Sequence, residues 1–249
     1  MELSGKKAIV TGGARGLGHA MAEALIAKGV DVAVFDMSAQ GLAELRAQYP
    51  AVHCFECDVS DFEQVLEATT RYRAEFGSTD VLINNAGILF SAPLVRISSA
   101  GIERHDVALW NKTLATNLSS VFYMTACIVE QMIVTRTKGV IVNISSVSAS
   151  GNAGQSAYSA AKAGVNALTS TWAKELSAMG IRVVAVAPGF TDTESTRAAL
   201  SEAMLQETIK KVPLRRLGKP QEIAQGVIGV IENDFFNGKV HELDGGLVI

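Results

Sequence analysis

The first strand-like run of the chain leads into Thr11-Gly12-Gly13-Ala14-Arg15-Gly16-Leu17-Gly18, and a helical pattern begins within this stretch. Glycines permit a tight turn and let backbone N–H groups approach a pyrophosphate, while the N-terminus of the helix favours negative charge. A second strand-like run is followed by Asp36, about 20 residues further on, as a dinucleotide site requires. The alternative is a tight turn without a ligand. The spacing favours the dinucleotide site.

Two side chains near this turn predict which dinucleotide it binds. A carboxylate at Asp36 can accept both hydroxyls of the adenosine ribose, and it repels a 2′-phosphate. The guanidinium of Arg15 favours NADP instead, because it can pair with the 2′-phosphate. The alternative is that Arg15 is only a solvated turn residue. Since Asp36 stands where the 2′ position must lie, the sequence favours NAD over NADP.

Outward from this turn, short apolar runs alternate with helical patterns. The predicted strands are Lys7–Thr11, Val30–Phe35, Val52–Cys57, Val81–Asn84, Val140–Ile144, Ile181–Ala187 and Lys239–Leu243. The predicted helices are Gly16–Lys28, Asp61–Phe76, Val107–Val134, Ala157–Met179 and Pro220–Ile231. Continuous apolar strands with helical crossovers predict an α/β fold, a doubly wound, seven-stranded parallel sheet with helices on both faces. No linker divides the chain, so residues 1–249 are expected to form one domain that binds ligands at the carboxyl ends of its strands.

Composition excludes several other classes of protein. The formal net charge is −3, which gives no sign of a nucleic-acid partner. No run of 18 uninterrupted apolar residues predicts a membrane span, and the N-terminus lacks the pattern of a signal peptide. Three cysteines form no disulfide framework, so a reducing cytoplasm is the expected setting. Cys54 and Cys57 form a lone CxxC, interpreted as ordinary thiols rather than a redox pair, and no metal site is predicted.

Together with the glycine turn, several motifs resemble the short-chain dehydrogenase/reductase family over essentially the whole chain. Thr11, Gly12, Gly16 and Gly18 match the family's glycine motif, and Asn84-Asn85-Ala86-Gly87 matches its N-N-A-G. The other matches are Asp58-Val59, Asn117, Tyr158-x-x-x-Lys162, and Pro188-Gly189 with Thr193. The stretches Gly151–Lys162 and Ala187–Thr193 look most like 3-oxoacyl-thioester (acyl carrier protein) reductases. The resemblance implies hydride transfer between NAD(P) and a carbonyl or alcohol carbon.

Tyr158 and Lys162 stand one helical turn apart, so their side chains share one face. A free phenol has a pKa of about 10, and a nearby ammonium lowers it. Tyr158 can then donate a proton during reduction or accept one during oxidation. The alternative, a pair of helix-surface residues, is weakened by the accompanying motifs. The resemblance further implies that Lys162 holds the nicotinamide ribose.

A serine hydroxyl is expected to polarise the substrate carbonyl. In the family this serine is usually the second of an I-S-S run, about 13 positions before the tyrosine. Here Ser146 is the second serine but stands 12 positions before Tyr158, whereas Ser145 stands 13 before it. A deletion is more easily absorbed in the loop 147–154 than at a strand end, so Ser146 is preferred over Ser145.

The resemblance implies roles for the remaining motif residues. Asn117 would hold a water that links Lys162 to solvent, and its amide can also satisfy a break in its helix. Thr193 and the backbone after Pro188-Gly189 would bind the nicotinamide carboxamide. The complete set of expected cofactor contacts is Gly12, Arg15, Gly16, Leu17, Gly18, Asp36, Asp58, Val59, Asn85, Ala86, Gly87, Tyr158, Lys162, Pro188, Gly189 and Thr193.

Two segments are candidates for contacts with the substrate. Ile88–Asp106 is several residues longer than is usual in the family and predicts a long irregular loop, either a binding element or a surface insertion. Asp192–Lys211 has a helical pattern with apolar Leu200, Met204 and Leu205, as expected of a lid. For an acidic acyl carrier, basic Arg136, Lys138 and Lys174 are candidate contacts, or only solvated helix ends.

Two other functions compete with the oxidoreductase. One is a catalytically idle NAD-binding sensor or scaffold on the same fold, and the other is a methyltransferase with a similar first turn. The set Asn117, Ser146, Tyr158 and Lys162 argues against both, because neither function uses these proton-transfer groups. Apolar surface on the helices around Asn117 and Tyr158 predicts a homotetramer or homodimer.

Overall fold

The computed structural model describes residues 1–99, 101–199 and 201–247. Its strands are β1 (Lys7–Thr11), β2 (Asp31–Asp36), β3 (His53–Glu56), β4 (Val81–Asn84), β5 (Val95–Ser98), β6 (Gly101–Arg104), β7 (Val140–Ile144), β8 (Arg182–Pro188) and β9 (Val240–Leu243). Among the described residues, seven strands form one sheet in the order β3-β2-β1-β4-β7-β8-β9, and every neighbouring pair is parallel. The doubly wound α/β class is therefore confirmed.

Helices cover both faces of this sheet. They are α1 (Gly16–Ala27), α2 (Ala39–Gln48), α3 (Phe62–Phe76), α4 (Val107–Leu114), α5 (Ser120–Thr135), α6 (Ser156–Leu176), α7 (Glu194–Ala199), α8 (Glu202–Lys211) and α9 (Pro220–Glu232). Polar side chains cap the N-termini of two of these helices. At the start of α3, Asp61 accepts hydrogen bonds from the backbone of Glu63 and Gln64, and at the start of α2, Ser38 accepts one from the backbone of Gly41. Such N-caps satisfy backbone donors that have no partner inside the helix.

The core consists of two layers because strand side chains alternate between the faces of the sheet. In β1, Ala8 and Val10 pack in the cluster that contains residues of α1 and α9, whereas Ile9 packs with residues of α3 and α5. Cys54 and Cys57 are free thiols, and they belong to opposite layers. The interpretation of the CxxC as ordinary thiols agrees with this placement.

Winding reverses between β1 and β4, which are neighbours in the sheet but not in the chain. Ligands of open α/β sheets bind at such a point, outside the carboxyl ends of the strands. The glycine turn follows β1, and Asn85-Ala86-Gly87 follows β4. The fold therefore places both motifs at the expected crevice.

Three sequence expectations need correction. Helix α2 is absent from the predicted set, because most of its residues face solvent and only Leu42 and Leu45 are buried. The expected continuous helix Val107–Val134 is interrupted by a π-helical turn over Ala115–Ser119. The segment Ile88–Asp106 is not irregular: β5 and β6 pair in it as an antiparallel hairpin.

Other boundaries differ by one or two residues; the helix expected to reach Met179 ends in a 3-10 turn over Ser177–Met179.

The helical stretch Val107–Thr135 is, by length and composition alone, apolar enough to cross a membrane. Half of its most apolar portion is buried within the structure, as in a core helix, which passes the same test. Met124, Ile128 and Met132 of this stretch lie fully in the core. The stretch is weak evidence for a membrane span.

Candidate active site

The glycine turn has backbone geometry that larger residues do not fit. Gly12 and Gly16 have φ of 64° and 60°, in the left-handed region. A Cβ on Gly18 would lie 2.1 Å from the carbonyl oxygen of Gly12, and one on Gly12 would lie 2.8 Å from Cα of Ala86. Helix α1 then begins without a side-chain cap and without an acidic residue in its first turn. Its N-terminus is therefore suited to a phosphate group.

Asp36 lies beside this turn. Its Oδ2 accepts a hydrogen bond of 3.0 Å from the backbone N–H of Ala14, and its Oδ1 accepts one of 2.9 Å from that of Ser38. The carboxylate thus joins the glycine turn to the start of α2. Arg15 is exposed, and its side chain makes no hydrogen bond or ion pair with the residues that the structure describes.

The residues after β4 are fastened to the glycine turn. The side-chain amide of Asn85 donates to the carbonyl oxygens of Thr11 and Gly12, at 2.9 and 3.0 Å. The hydroxyl of Thr11 accepts from the backbone of Asn85 and Ala86, both at 3.0 Å. Asn85 therefore shapes the turn with its side chain. The sequence marked Thr11 only as a motif residue, and its placement at a strand end was the available signal for this role.

Asp58 and Val59 follow β3 at the same edge of the sheet. Oδ1 of Asp58 accepts hydrogen bonds from the backbone and the hydroxyl of Ser60, at 2.9 and 2.7 Å. The side chain of Val59 is buried in the core layer, so only its backbone is left for an adenine ring. These contacts fix the loop that follows β3.

Asn117 is fully buried in the π-helical turn. Its amide donates to the carbonyl oxygens of Ile88 and Thr113, at 2.9 and 3.0 Å, and its Oδ1 accepts from the backbone of Ile88 at 3.2 Å. The amide thus satisfies the break in its helix and clamps the chain after Gly87. A Cβ on Gly87 would lie 2.6 Å from Oδ1 of Asn117, which explains the need for glycine there.

The two serines after β7 point to different partners. Ser145 is buried, and its hydroxyl donates to Oδ1 of Asn166 at 2.6 Å and to the carbonyl oxygen of Lys162 at 3.4 Å. Ser146 is half-buried, its hydroxyl accepts from the backbone of Ser148, and the same hydroxyl lies close enough to Tyr158 to lower the pKa of the phenol. Only Ser146 therefore faces the phenol. Asn166 was missed, although its position one turn after Lys162 places it on the same face of α6.

Tyr158 and Lys162 lie together on α6. The Nζ of Lys162 is 5.7 Å from the centre of the Tyr158 ring and donates to the carbonyl oxygen of Ile144 at 2.7 Å. Burial raises the pKa of Tyr158 above its usual value, and the hydrogen bond with Ser146 partly opposes this rise. Burial lowers the pKa of Lys162 to about 8. The phenol thus carries its proton at neutral pH, and lowering of its pKa by Lys162 stays a prediction.

The remaining motif residues follow β8. The backbone N–H of Gly189 donates to the carbonyl oxygen of Leu243 at 3.0 Å, so the segment after Pro188 is tied to the neighbouring strand. The hydroxyl of Thr193 accepts from the backbone of Thr196 at 3.2 Å, just before α7. Helices α7 and α8 occupy the predicted lid, where Leu205 is buried and Met204 is exposed. Leu200 of the lid and Ala100 of the hairpin lie outside the described residues.

The proposed basic contacts for an acidic carrier are wrong in position. Arg136 and Lys138 precede β7, and Lys174 lies in the last turn of α6. These places are at the amino-terminal edge of the sheet, whereas Ser146 follows the carboxyl end of β7. Sequence spacing alone could not show on which edge they lie. Among the described residues, no group of three His, Cys, Asp or Glu side chains could hold a metal ion.

Comparison with known proteins matches this arrangement to one family. A family model described as short chain dehydrogenase matches residues 6–203. The chain belongs to the short-chain dehydrogenase family. It is 39% identical to the 3-oxoacyl-[acyl-carrier-protein] reductase FabG of Thermotoga maritima, over 100% of both chains. It is 38% identical to the FabG of Salmonella typhimurium and 37% identical to that of Escherichia coli, over 99% of each chain.

Membership of this family makes the protein an NAD(P)-dependent oxidoreductase. The residues present fit a nicotinamide dinucleotide, because the uncapped start of α1, the glycines that exclude a Cβ and the carboxylate of Asp36 lie together. The methyltransferase alternative is therefore excluded, and the idle sensor has no support. The family does not by itself fix the substrate or the choice between NAD and NADP.

Proposed function

We propose that this protein reduces the keto group of a 3-oxoacyl thioester at the site formed by Ser146, Tyr158 and Lys162. The observation that carries the proposal is the placement of Tyr158 at the carboxyl edge of the sheet, with the Nζ of Lys162 5.7 Å from the centre of its ring and Ser146 just after the end of β7. Full-length similarity to 3-oxoacyl-[acyl-carrier-protein] reductases supports the choice of substrate. One cytoplasmic domain, residues 1–249, is expected to bind both cofactor and substrate.

In this mechanism, the glycine turn and Asp36 would hold NADH, and the bound cofactor would supply a hydride for the keto carbon. The hydroxyl of Ser146 donates a hydrogen bond to the keto oxygen and stabilises the negative charge that develops on it. Tyr158 transfers its phenolic proton to that oxygen. Lys162 stabilises the resulting phenolate by its charge, since its Nζ lies beside the ring. Asn117 supports a water through which the proton is replaced.

NADH is the proposed cofactor because of the two groups beside the glycine turn. Asp36 is held in place by two backbone N–H groups, so its carboxylate cannot easily turn away from a 2′-phosphate. Arg15 is exposed and held by no partner that the structure describes, so it would lose conformational freedom on pairing with that phosphate. The fixed carboxylate therefore outweighs the mobile guanidinium. The residues predicted from the sequence to contact the cofactor are proposed to bind NADH.

Two copies of the chain are expected to pack through α5 and α6. A groove of about 530 Å³ lies between these helices, lined by Leu118, Ser119, Phe122, Tyr123, Gly164, Ala167, Leu168 and Thr171. Phe122 exposes half of its surface there. An exposed aromatic ring beside a groove between two helices is suited to contact with a second copy of the chain, which supports the proposed homodimer or homotetramer. A monomer in light scattering would contradict it.

A substrate panel tests the proposal. Purified protein is mixed with NADH or NADPH and with acetoacetyl-CoA, a simple ketone or a keto sugar, and absorbance of the reduced cofactor is followed. We expect the highest kcat/KM with the thioester and NADH, and no loss of absorbance without a carbonyl compound. A higher kcat/KM with the ketone or sugar would overturn the substrate, and a preference for NADPH would overturn the cofactor.

A further inference from the structure

The hairpin of β5 and β6 has one apolar face in solvent. Pairing of Val95 with Arg104 and of Ile97 with Ile102 places these four side chains on one face. Ile97 and Ile102 expose 80% and 74% of their surface. The other face carries the pair Arg96 and Glu103. The hairpin is therefore amphipathic, with its apolar side uncovered.

The segment that leads into this hairpin is anchored to segments that carry the proposed catalytic groups. Ile88, where the segment starts, exchanges backbone hydrogen bonds with the amide of Asn117. Ala92 forms a parallel bridge with Gln155, three residues before Tyr158. His105, just after β6, contacts the carbonyl oxygen of Ala92 through its ring at 3.2 Å. The base of the hairpin is thus tied to the segments that carry Asn117 and Tyr158.

Apolar side chains also line the approach to the hairpin. Leu89 and Phe90, directly after the clamped Ile88, each expose 40% of their surface, and Leu94 exposes 73%. A two-stranded hairpin is marginally stable in water unless its apolar face is covered. The segment from Leu89 to the hairpin therefore carries a series of apolar side chains that expose between 40% and 80% of their surface. A long, flexible apolar chain fits such a series.

The small area of this apolar face favours a hydrocarbon tail over a second copy of the chain as the molecule that covers it. Stable interfaces between protein chains bury roughly 800 Å² on each partner. Two strands of four residues, with three apolar side chains on the exposed face, are too small for that. A second copy of the chain has a more suitable surface at the groove between α5 and α6. A hydrocarbon tail needs only a narrow apolar strip.

The geometry points to the hairpin as the binding surface for the hydrocarbon tail of the substrate. This inference rests on the proposed function, since a 3-oxoacyl thioester carries such a tail next to its keto group. Ile97 and Ile102 then determine specificity for chain length. Each methylene group that is buried strengthens binding by about fourfold, so even a partly covered tail gives a preference of tenfold or more for long chains.

The test compares 3-oxobutanoyl-CoA with 3-oxododecanoyl-CoA in wild type and in two double variants. Ile97→Thr with Ile102→Thr removes apolar surface but keeps β-branched residues that favour strands. Arg96→Thr with Glu103→Thr is the matched control on the opposite face, and it leaves the net charge unchanged. We expect the apolar variant to lose roughly tenfold of the long-chain preference in kcat/KM. Short-chain turnover should stay at the wild-type level in both variants.

Several results would overturn the inference. In an apolar variant that unfolds at the same urea concentration as wild type, an unchanged ratio of long-chain to short-chain kcat/KM excludes the tail from this face, whether or not activity falls at both lengths. If light scattering shows that the apolar variant is a monomer whereas wild type is an oligomer, the apolar face of the hairpin contacts a second copy of the chain instead of the tail. If the apolar variant does not fold, the test is inhibition of wild type by saturated acyl-CoAs of increasing length. The inference predicts that the inhibition constant falls as the chain lengthens, and a constant that does not fall would contradict it. No turnover by wild type at either length rejects the proposed function itself.

Discussion

The crevice for the cofactor and the surface beside the substrate are built in different ways. In the crevice, the glycine turn is bonded to Asp36 and Asn85 through backbone atoms, and a Cβ at Gly12 or Gly18 would clash. On the substrate side, the hairpin Val95–Arg104 and helix α8 expose apolar side chains. The difference indicates that the cofactor crevice rests on a tightly constrained backbone, whereas the surface proposed for the substrate is an added, exposed element.

The largest expected effect is that of a change inside the crevice. Gly18→Ala places a Cβ against the carbonyl oxygen of Gly12, so the turn must move and NADH binding should be lost, with a weakening of at least about 100-fold. Gly5→Asn is the control, because Gly5 precedes β1 outside the glycine turn, nothing lies within 4 Å of a Cβ there and Asn tolerates its positive φ. Calorimetric titration with NADH measures both variants. Equal binding by both would mean that the turn is not constrained as described.

The second prediction compares the substitution of Ser146 with that of Ser145, both of which follow β7 at the carboxyl edge of the sheet. Ser146→Ala should lower kcat by about 10²–10³, as expected when a donor to a developing oxyanion is lost. Ser145→Ala should mainly lower the free energy of unfolding, by about 1–3 kcal/mol, because Asn166 loses its buried donor. Steady-state kinetics and urea unfolding give the two values. The reverse pattern would make Ser145 the catalytic residue.

The smallest effect concerns cofactor choice. Asp36→Ala removes the carboxylate that disfavours a 2′-phosphate, so the ratio of kcat/KM for NADPH to that for NADH should rise by roughly tenfold. Asp61→Ala is the matched control, since Asp61 caps α3 away from the turn. An unchanged ratio in Asp36→Ala would show that this carboxylate does not select the cofactor.

Sequence patterns predicted the crevice well, because its requirements are local. Glycine at Gly12 and Gly16, a carboxylate at the end of β2 and one helical turn between Tyr158 and Lys162 all follow from backbone geometry and spacing. The seven strands follow from the same logic, since buried parallel strands are continuous apolar runs.

The rest depends on contacts between distant residues. The π-helical turn at Asn117 exists because its amide binds Ile88, 29 positions away. The hairpin was missed although Val95–Ser98 alternates apolar and polar residues, because two exposed strands of four residues give too short a pattern to distinguish from a loop. The edge on which Arg136 and Lys138 lie follows only from the order of the strands. Neither the contact of Asn117 with Ile88 nor the order of the strands leaves a periodic signal in the sequence.

The most direct test of Tyr158 as the proton donor is turnover and NADH binding by Tyr158→Phe. The substitution removes the phenolic hydroxyl but keeps the ring that Lys162 approaches. We predict that kcat for carbonyl reduction falls by about 10²–10⁴, while the Kd for NADH stays close to that of wild type. Turnover near the wild-type rate would contradict the assignment of Tyr158 as the proton donor, and loss of NADH binding would show that its role is structural.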